Sequence, residues 1–296
     1  MAGGPCIDCF SGFVHEGTPQ GEVSKIHGLD VYVTEPDAGV KPKGLIVIIT
    51  DAFGMQFVNN KILADRYAKR GGFVVYVPDF MAGRPLPLTA NGLTEKLMKR
   101  TSWLGMLYKP ILLLQALAVA LPWLYSSRAS VCRPRVISFF QALRSSPAPF
   151  PTNDLKVGAA GFCWGGRYAV QLAQDAPSTR VHRNAAGSSS QALLPLVDCA
   201  FTAHPSFLKV PQDMEKVTLP LSVTVGDNDM VLKGPHAFLA KEVLEKKKAG
   251  DHEVVILPGA KHGFAIRFDP KDQVQMEYAE QAELQAIAWF NRWFST

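Results

Sequence analysis

The chain has 296 residues, 47% of them hydrophobic and 19% charged, with a formal net charge of +5. That length and apolar content suffice for one large core, and α/β folds of this size are commonly undivided. The charge is mild and dispersed, with Lys246-Lys247-Lys248 as its one run of three, so the basic stripe and recognisable module that nucleic-acid binding requires are both missing; five scattered cysteines argue against a disulfide framework and for a reducing compartment.

At the amino terminus, Met1-Ala2-Gly3-Gly4-Pro5 lacks the basic region and apolar stretch of a secretory signal, and a cytoplasmic location is expected. Cys6-Ile7-Asp8-Cys9 has no second ligand pair at metal-binding spacing and follows no βαβ pattern. It reads as structural, and neither a metal nor a cofactor is expected. Residues 22–35 read as two short strands around His27-Gly28, and Gly44 to Thr50 as a β-branched buried strand. A helix is expected near Asn59 to Arg70, ending at Gly71-Gly72, then a strand from Phe73 to Val77. Helices follow around Gly92 to Arg100, Ile111 to Leu121 and Val136 to Ser145, and Pro147 to Pro151 leads into an apolar run, Leu155 to Ala160. Later strands are expected at Asp198 to Thr202, Leu219 to Val225 and Glu253 to Leu257, with helices at Arg167 to Ala176, Pro235 to Lys248 and Asp272 to Phe294. The alternation predicts an α/β fold: one domain over 1–296, with a mostly parallel sheet and helices on both faces.

The most apolar run, Ile111 to Leu121, is too short to cross a bilayer, which takes about 20 apolar residues. Extending it to Trp103 brings in Lys109 and Pro110, and no integral membrane span is expected. Pro110 and Pro122 suggest two short helices over Trp103 to Tyr125, inside a helical segment at 92–146. That segment would cover the mouth of a functional site, or meet a second subunit of a homodimer, with Leu113 and Leu117 in apolar contact. Peripheral membrane contact is the third reading.

Gly161-Phe162-Cys163-Trp164-Gly165-Gly166 lies between an apolar run and a helix. A Gly-x-nucleophile-x-Gly run at that place is a nucleophile elbow, whose tight turn lifts the central side chain above the sheet. A buried structural cysteine is the alternative, and the elbow taken alone favours the catalytic reading over it. An α/β-hydrolase then needs an acid and a histidine, in that order. The strand Leu219 to Val225 runs into Gly226-Asp227-Asn228-Asp229, and Glu253 to Leu257 runs into Pro258-Gly259-Ala260-Lys261-His262-Gly263-Phe264. Cys163, an aspartate and His262 thus each follow a strand, in the required order. A thiolate is the attacking form of cysteine, and a helix N-terminus and an imidazolium both favour it. The acid would hold the imidazole's tautomer and orientation. The backbone N–H of Trp164 and a second donor from the loop after Thr50, best assigned to Ala52, would bind the oxyanion.

On Gly161 to Gly166, the Gly226-x-x-Asp229 turn and His262-Gly263-Phe264, the sequence resembles the dienelactone hydrolase family of the α/β-hydrolase superfamily. Cys9, His15 to Pro19 and Gly28 to Val33 resemble the amino-terminal region of eukaryotic, particularly fungal, members. The resemblance spans nearly the whole chain and is weakest from Leu86 to Ser146. It implies an α/β-hydrolase fold, and its Gly-x-x-Asp spacing points to Asp229 over its rival Asp227. It places Asp51 where bacterial members carry a glutamate that interacts with the thiol. Arg84 falls one residue from a family arginine that binds a substrate carboxylate, and at the place of a second such arginine stands Ile266, followed by Arg267. Trp164 and Phe264 either line an apolar pocket or belong to the core, Phe53 is a further substrate-binding candidate, and His204, after a strand, either reaches the pocket or is a satisfied structural histidine. The expected substrate-binding set is therefore Asp51, Phe53, Arg84, His204 and Phe264. The expected activity is hydrolysis of a small-molecule ester or lactone through a cysteine acyl-enzyme, similar to carboxymethylenebutenolidase. Two alternatives stand beside it: lactone opening, acyl transfer or cyclisation on a polyketide-like metabolite, and a non-catalytic ligand-binding or scaffold protein.

Overall fold

The structure, a computed structural model, describes residues 12–90, 103–182, 193–248 and 250–296, with the backbone alone for 103–107. Cys6 and Cys9 and the helix expected at 92–100 lie outside the described residues.

Eight strands form one sheet: β1 (Glu22–Ile26), β2 (Leu29–Thr34), β3 (Leu45–Ile49), β4 (Val74–Pro78), β5 (Val157–Phe162), β6 (Cys199–Ala203), β7 (Leu221–Gly226) and β8 (His252–Leu257). Their order across the sheet is β1-β2-β4-β3-β5-β6-β7-β8. β1 and β2 pair antiparallel through a turn in which His27 and Gly28 both have positive φ, as a type I′ hairpin requires, and β2 pairs antiparallel with β4. All later pairings are parallel. Every residue of β3, β5 and β7 is buried, so both faces of the sheet's centre are covered. This is why those strands read as unbroken apolar or small-residue runs instead of alternating ones.

Among the described residues the α-helices are α1 (Val58–Gly71), α2 (Trp103–Ser126), α3 (Ala129–Ser145), α4 (Gly166–Ala173), the single turn α5 (Gln212–Glu215), α6 (Gly234–Glu245) and α7 (Gln273–Phe294). α1 ends on Gly72 in the left-handed conformation, and α7 begins on Asp272, whose carboxylate accepts the N–H groups of Val274 and Gln275. α1 lies against α7, where Arg66 and Arg70 converge on the buried Glu283. α3 is part of the body: Phe139 meets Phe80 edge-on at 5.5 Å, and buried Arg144 donates to the carbonyls of Leu155 and Leu196 and pairs with Asp198 at 2.6 Å.

One expectation for the apolar segment is corrected. It forms one helix, not two, with Pro110 and Pro122 inside it. A proline removes one hydrogen bond and bends a helix, and the intervening Leu- and Ala-rich turns have the propensity to continue through it. The apolar stretch also runs past Leu121. Tyr108–Ser126, 19 residues at mean hydropathy 1.3 and only 6% buried, is long and apolar enough to cross a membrane by length and composition. Leu113 and Leu117 are exposed.

Candidate active site

β5 ends at Phe162, a 3-10 turn covers Cys163–Gly165, and α4 starts at Gly166. Cys163 has φ of 49°, a left-handed conformation that costs a non-glycine residue about 1–2 kcal/mol. The glycines beside it are required by close approach. A Cβ at Gly165 would lie 2.0 Å from the Ile49 carbonyl oxygen, and one at Gly161 would lie 2.6 Å from that of Gly165. The Gly165 N–H donates to Thr50 O at 3.0 Å, which locks the elbow against the end of β3 and brings Asp51 and Ala52 beside it.

The loops after β7 and β8 meet the elbow. His262 Nδ1 lies 2.9 Å from Asp229 Oδ2, with both side chains fully buried. The other carboxylate oxygen accepts the N–H groups of Val231 at 2.7 Å and Leu232 at 3.2 Å, so the acid is held from both ends. Asp227 instead accepts the Gly259 N–H at an exposed position and does not face the imidazole. On the other side of the ring, Ser206 Oγ is 3.3 Å from His262 Nε2 and 3.5 Å from Cys163 Sγ. Ser206 is buried, and its N–H donates to Cys163 O at 2.9 Å. Burial alone would draw the pKa of His262 down. The thiolate of Cys163 and the carboxylate of Asp229 outweigh it and push the imidazole up to about 10.

Behind the thiol, Asp51 is fully buried. Its Oδ1 accepts the Phe53 N–H and the Asn60 side-chain amide, and its Oδ2 pairs with Arg267 Nη1 at 2.5 Å. Burial raises the Asp51 carboxyl, Arg267 opposes that, and the Cys163 thiolate adds to it. The arginine that enters the site is thus Arg267. Ile266 is buried one residue before it, and Arg84 is exposed in the turn after β4. Asn59 helps hold the Arg267 loop: its side-chain amide donates to Phe13 O and Ile266 O, while its oxygen accepts the His15 N–H.

Phe53 is buried, with the Arg267 guanidinium 5.5 Å from its ring centroid. Trp164 points inward, edge-on to Tyr168, and its Nε1 donates to Ser127 O at 3.2 Å. His204 is fully buried, and neither of its ring nitrogens has a hydrogen-bond partner among the described residues. Burial, then the neighbouring His262, hold its pKa well below the ordinary histidine range. Its ring packs on His262 at 5.0 Å and Phe264 at 5.2 Å, acting as a neutral aromatic wall behind the imidazole. A cavity of about 680 Å³ opens behind the histidine loop, lined by Phe13, Lys261, Phe264, Arg267 and Tyr278. Cys163 is not among its walls.

Sequence reasoning missed Ser206, Asn60 and the partner of Asp51. Ser206 lay two residues past His204 in a stretch already singled out, but nothing in that stretch indicates that its hydroxyl faces the thiol. Asn60 gives no signal, being a polar residue in the first turn of a helix.

A family model described as the dienelactone hydrolase family matches residues 29–296. Among curated proteins, the chain is 27% identical over 287 residues to the hydrolase tropI of Talaromyces stipitatus, covering 96% of this chain and 95% of that one. It is 24% identical to dienlactone hydrolase 1 of Gibberella moniliformis, covering 97% and 93% of the two chains. Among solved structures, a dienelactone hydrolase-like promiscuous phosphotriesterase from metagenomic libraries superposes with a TM-score of 0.57 at 18% identity, covering 92% of this chain and 96% of that one. At that identity the likeness concerns the fold.

Proposed function

Since the chain belongs to the dienelactone hydrolase family, we propose that it hydrolyses an ester or lactone through a cysteine acyl-enzyme, with Cys163, His262 and Asp229 as the working set. The observation that carries the reading is the continuous contact from Cys163 Sγ past Ser206 Oγ to His262 Nε2, and from His262 Nδ1 to Asp229, at the ends of β5, β7 and β8.

In this reading the Cys163 thiolate attacks the carbonyl carbon and the carbonyl π electrons move onto oxygen. The N–H groups of Trp164 and Ala52 receive that oxyanion, at the elbow and the adjoining end of β3. As the tetrahedral centre collapses, the C–O bond to the leaving alkoxide breaks and the imidazolium of His262 supplies its proton. In a lactone the leaving alkoxide stays tethered to the acyl chain. Neutral His262 then takes a proton from water, the hydroxide attacks the thioester, and the thiolate departs. Asp229 keeps the Nδ1–H tautomer throughout, so that Nε2 is the atom that exchanges the proton. Asp51 and Arg267 neutralise each other beside the thiol, so a substrate carboxylate would have to compete with Asp51 for the guanidinium. Phe53, Phe264 and His204 supply aromatic walls. If a nucleophile within the substrate reaches the thioester before water does, the same steps give acyl transfer or cyclisation.

The test is a p-nitrophenyl ester supplied to the wild type, Cys163→Ala and His262→Ala. The expected result is a burst of p-nitrophenolate and an acyl adduct on the Cys163 peptide by mass spectrometry, absent from both variants. Turnover by Cys163→Ala at near the wild-type rate would overturn the covalent mechanism. Product masses from a panel of small lactones separate hydrolysis from transfer.

A further inference from the structure

Residues 96–153 contain eight lysines and arginines and no aspartate or glutamate, while the rest of the chain holds 23 basic against 26 acidic residues. The positive charge of this protein is therefore concentrated in one segment, where, among the described residues, only the buried Arg144 is seen paired with an acid outside it, Asp198, and α2 runs through it. The inner side of α2 rests on the body: Trp123 is buried, and Val119 and Leu124 pack against the core. Its outer side carries Ile111, Leu114, Leu117, Leu121 and Tyr125, 41–71% exposed. Their spacing of three and four residues aligns them on one stripe, an apolar ridge about 21 Å long at about 1.5 Å per residue. Lys109 precedes the ridge, and exposed Arg128 and Arg133 follow it. The Arg128 guanidinium stacks 4.0 Å from the centroid of the Tyr125 ring.

An exposed apolar ridge within an acid-free basic segment is the combination used by helices that lie in a membrane surface. Their apolar side chains enter the acyl boundary while lysine and arginine meet anionic headgroups. We propose that α2 docks this protein peripherally on an anionic lipid surface. A second copy of the chain is a poorer occupant. Pairing two ridges antiparallel about a two-fold axis brings Lys109 of one copy toward Arg128 of the other, and the segment has no acidic residue to offset them. A bilayer crossing is also a poorer fit, because β4 before α2 and α3 after it pack in one core, joined by the Phe80–Phe139 contact. A span would put them on opposite sides of the membrane. The proposal is independent of the hydrolase reading, since none of these side chains belongs to the candidate active site.

The test is flotation of the full chain with vesicles of phosphatidylcholine and phosphatidylserine at three to one, and with phosphatidylcholine alone. Binding to the anionic vesicles is expected, weakened by 0.5 M salt. It should fall roughly tenfold or more in Leu114→Glu/Leu121→Glu and severalfold in Arg128→Ser/Arg133→Ser, since the apolar and basic contributions act together. Circular dichroism and p-nitrophenyl ester turnover in lipid-free buffer should match the wild type in both variants, which separates lost docking from lost fold. Absence of vesicle binding, or binding indifferent to these substitutions, overturns the proposal. So does a dimer by light scattering that Leu114→Glu/Leu121→Glu dissociates, or protein that resists carbonate extraction as a span would.

Discussion

Asp229→Asn tests the assignment of the acid, because the structure dictates how the amide must sit. In the native site Asp229 Oδ1 accepts two backbone N–H groups, from Val231 and Leu232, while Oδ2 faces His262 Nδ1. An asparagine has one acceptor end and one donor end. Turning its NH2 toward Val231 and Leu232 would oppose donors to donors in a buried loop and leave both amides unsatisfied, at about 1–3 kcal/mol for each group. The oxygen therefore stays on the amides and the NH2 faces Nδ1. His262 must then accept at Nδ1 and carry its proton on Nε2, the nitrogen that should take a proton from the nucleophile. The same change removes one of the two negative charges that raise the imidazole pKa against burial. Wrong-tautomer variants of this kind lose on the order of 10²–10⁴ in rate, or about 3–5.5 kcal/mol of transition-state stabilisation. Steady-state kcat/KM on a p-nitrophenyl ester measures it, with Asp227→Asn as the control. Asp227 accepts only the Gly259 N–H at the surface, and its loss should cost less than about threefold, a fraction of the worth of one hydrogen bond. Asp229→Asn activity within threefold of the wild type, or an Asp227→Asn loss exceeding that of Asp229→Asn, would refute the reasoning.

Arg267→Met should destabilise the fold by about 3–5 kcal/mol in urea titration, because it strands the buried Asp51 carboxylate, and Asp51→Asn/Arg267→Met should recover most of the loss; additive losses would contradict this. Ser206→Ala should slow both turnover and iodoacetamide alkylation of Cys163, up to roughly tenfold for one hydrogen bond, whereas unchanged alkylation would remove Ser206 from thiol positioning. The pKa of His262 is raised in the folded chain from 6.5 to about 10, so its charged form contributes stability that is complete below about pH 6.5 and is lost as pH rises through 10. The thiolate that raises it has itself lost a proton, which an unfolded cysteine keeps up to about pH 8.5, so the net fall in melting temperature should lie between about pH 8.5 and 10 and be smaller in Cys163→Ala; equal slopes there would show that the ion pair does not form.

The sequence by itself determined the strands and their order along the chain. Strands buried on both faces must be apolar or small throughout, so Leu45 to Ile49 and Leu221 to Gly226 stand out without any partner being known. The elbow was legible for a similar reason. A turn in which a Cβ at Gly165 would meet the Ile49 carbonyl admits only glycine there, and that constraint is written locally. Cys163 and His262 each follow a strand end and could be singled out from chain order. Between Asp227 and Asp229, two residues apart on one turn, the residues alone leave the choice open and only the family spacing points to Asp229; the tertiary structure adds which carboxylate faces a ring 33 residues further on.

The same holds for Asp51 and Arg267, 216 residues apart, and for Ser206, whose hydroxyl matters only because the sheet sets β6 beside β5. The helix Trp103–Ser126 is the converse case. Its composition was plain, and its prolines suggested a break, yet its continuity and its exposed ridge were decided by what the rest of the chain left uncovered. Periodicity records which side of an element is apolar. Whether that side meets a core, a second chain or a lipid surface is a property of what lies across from it, and no local pattern carries that information.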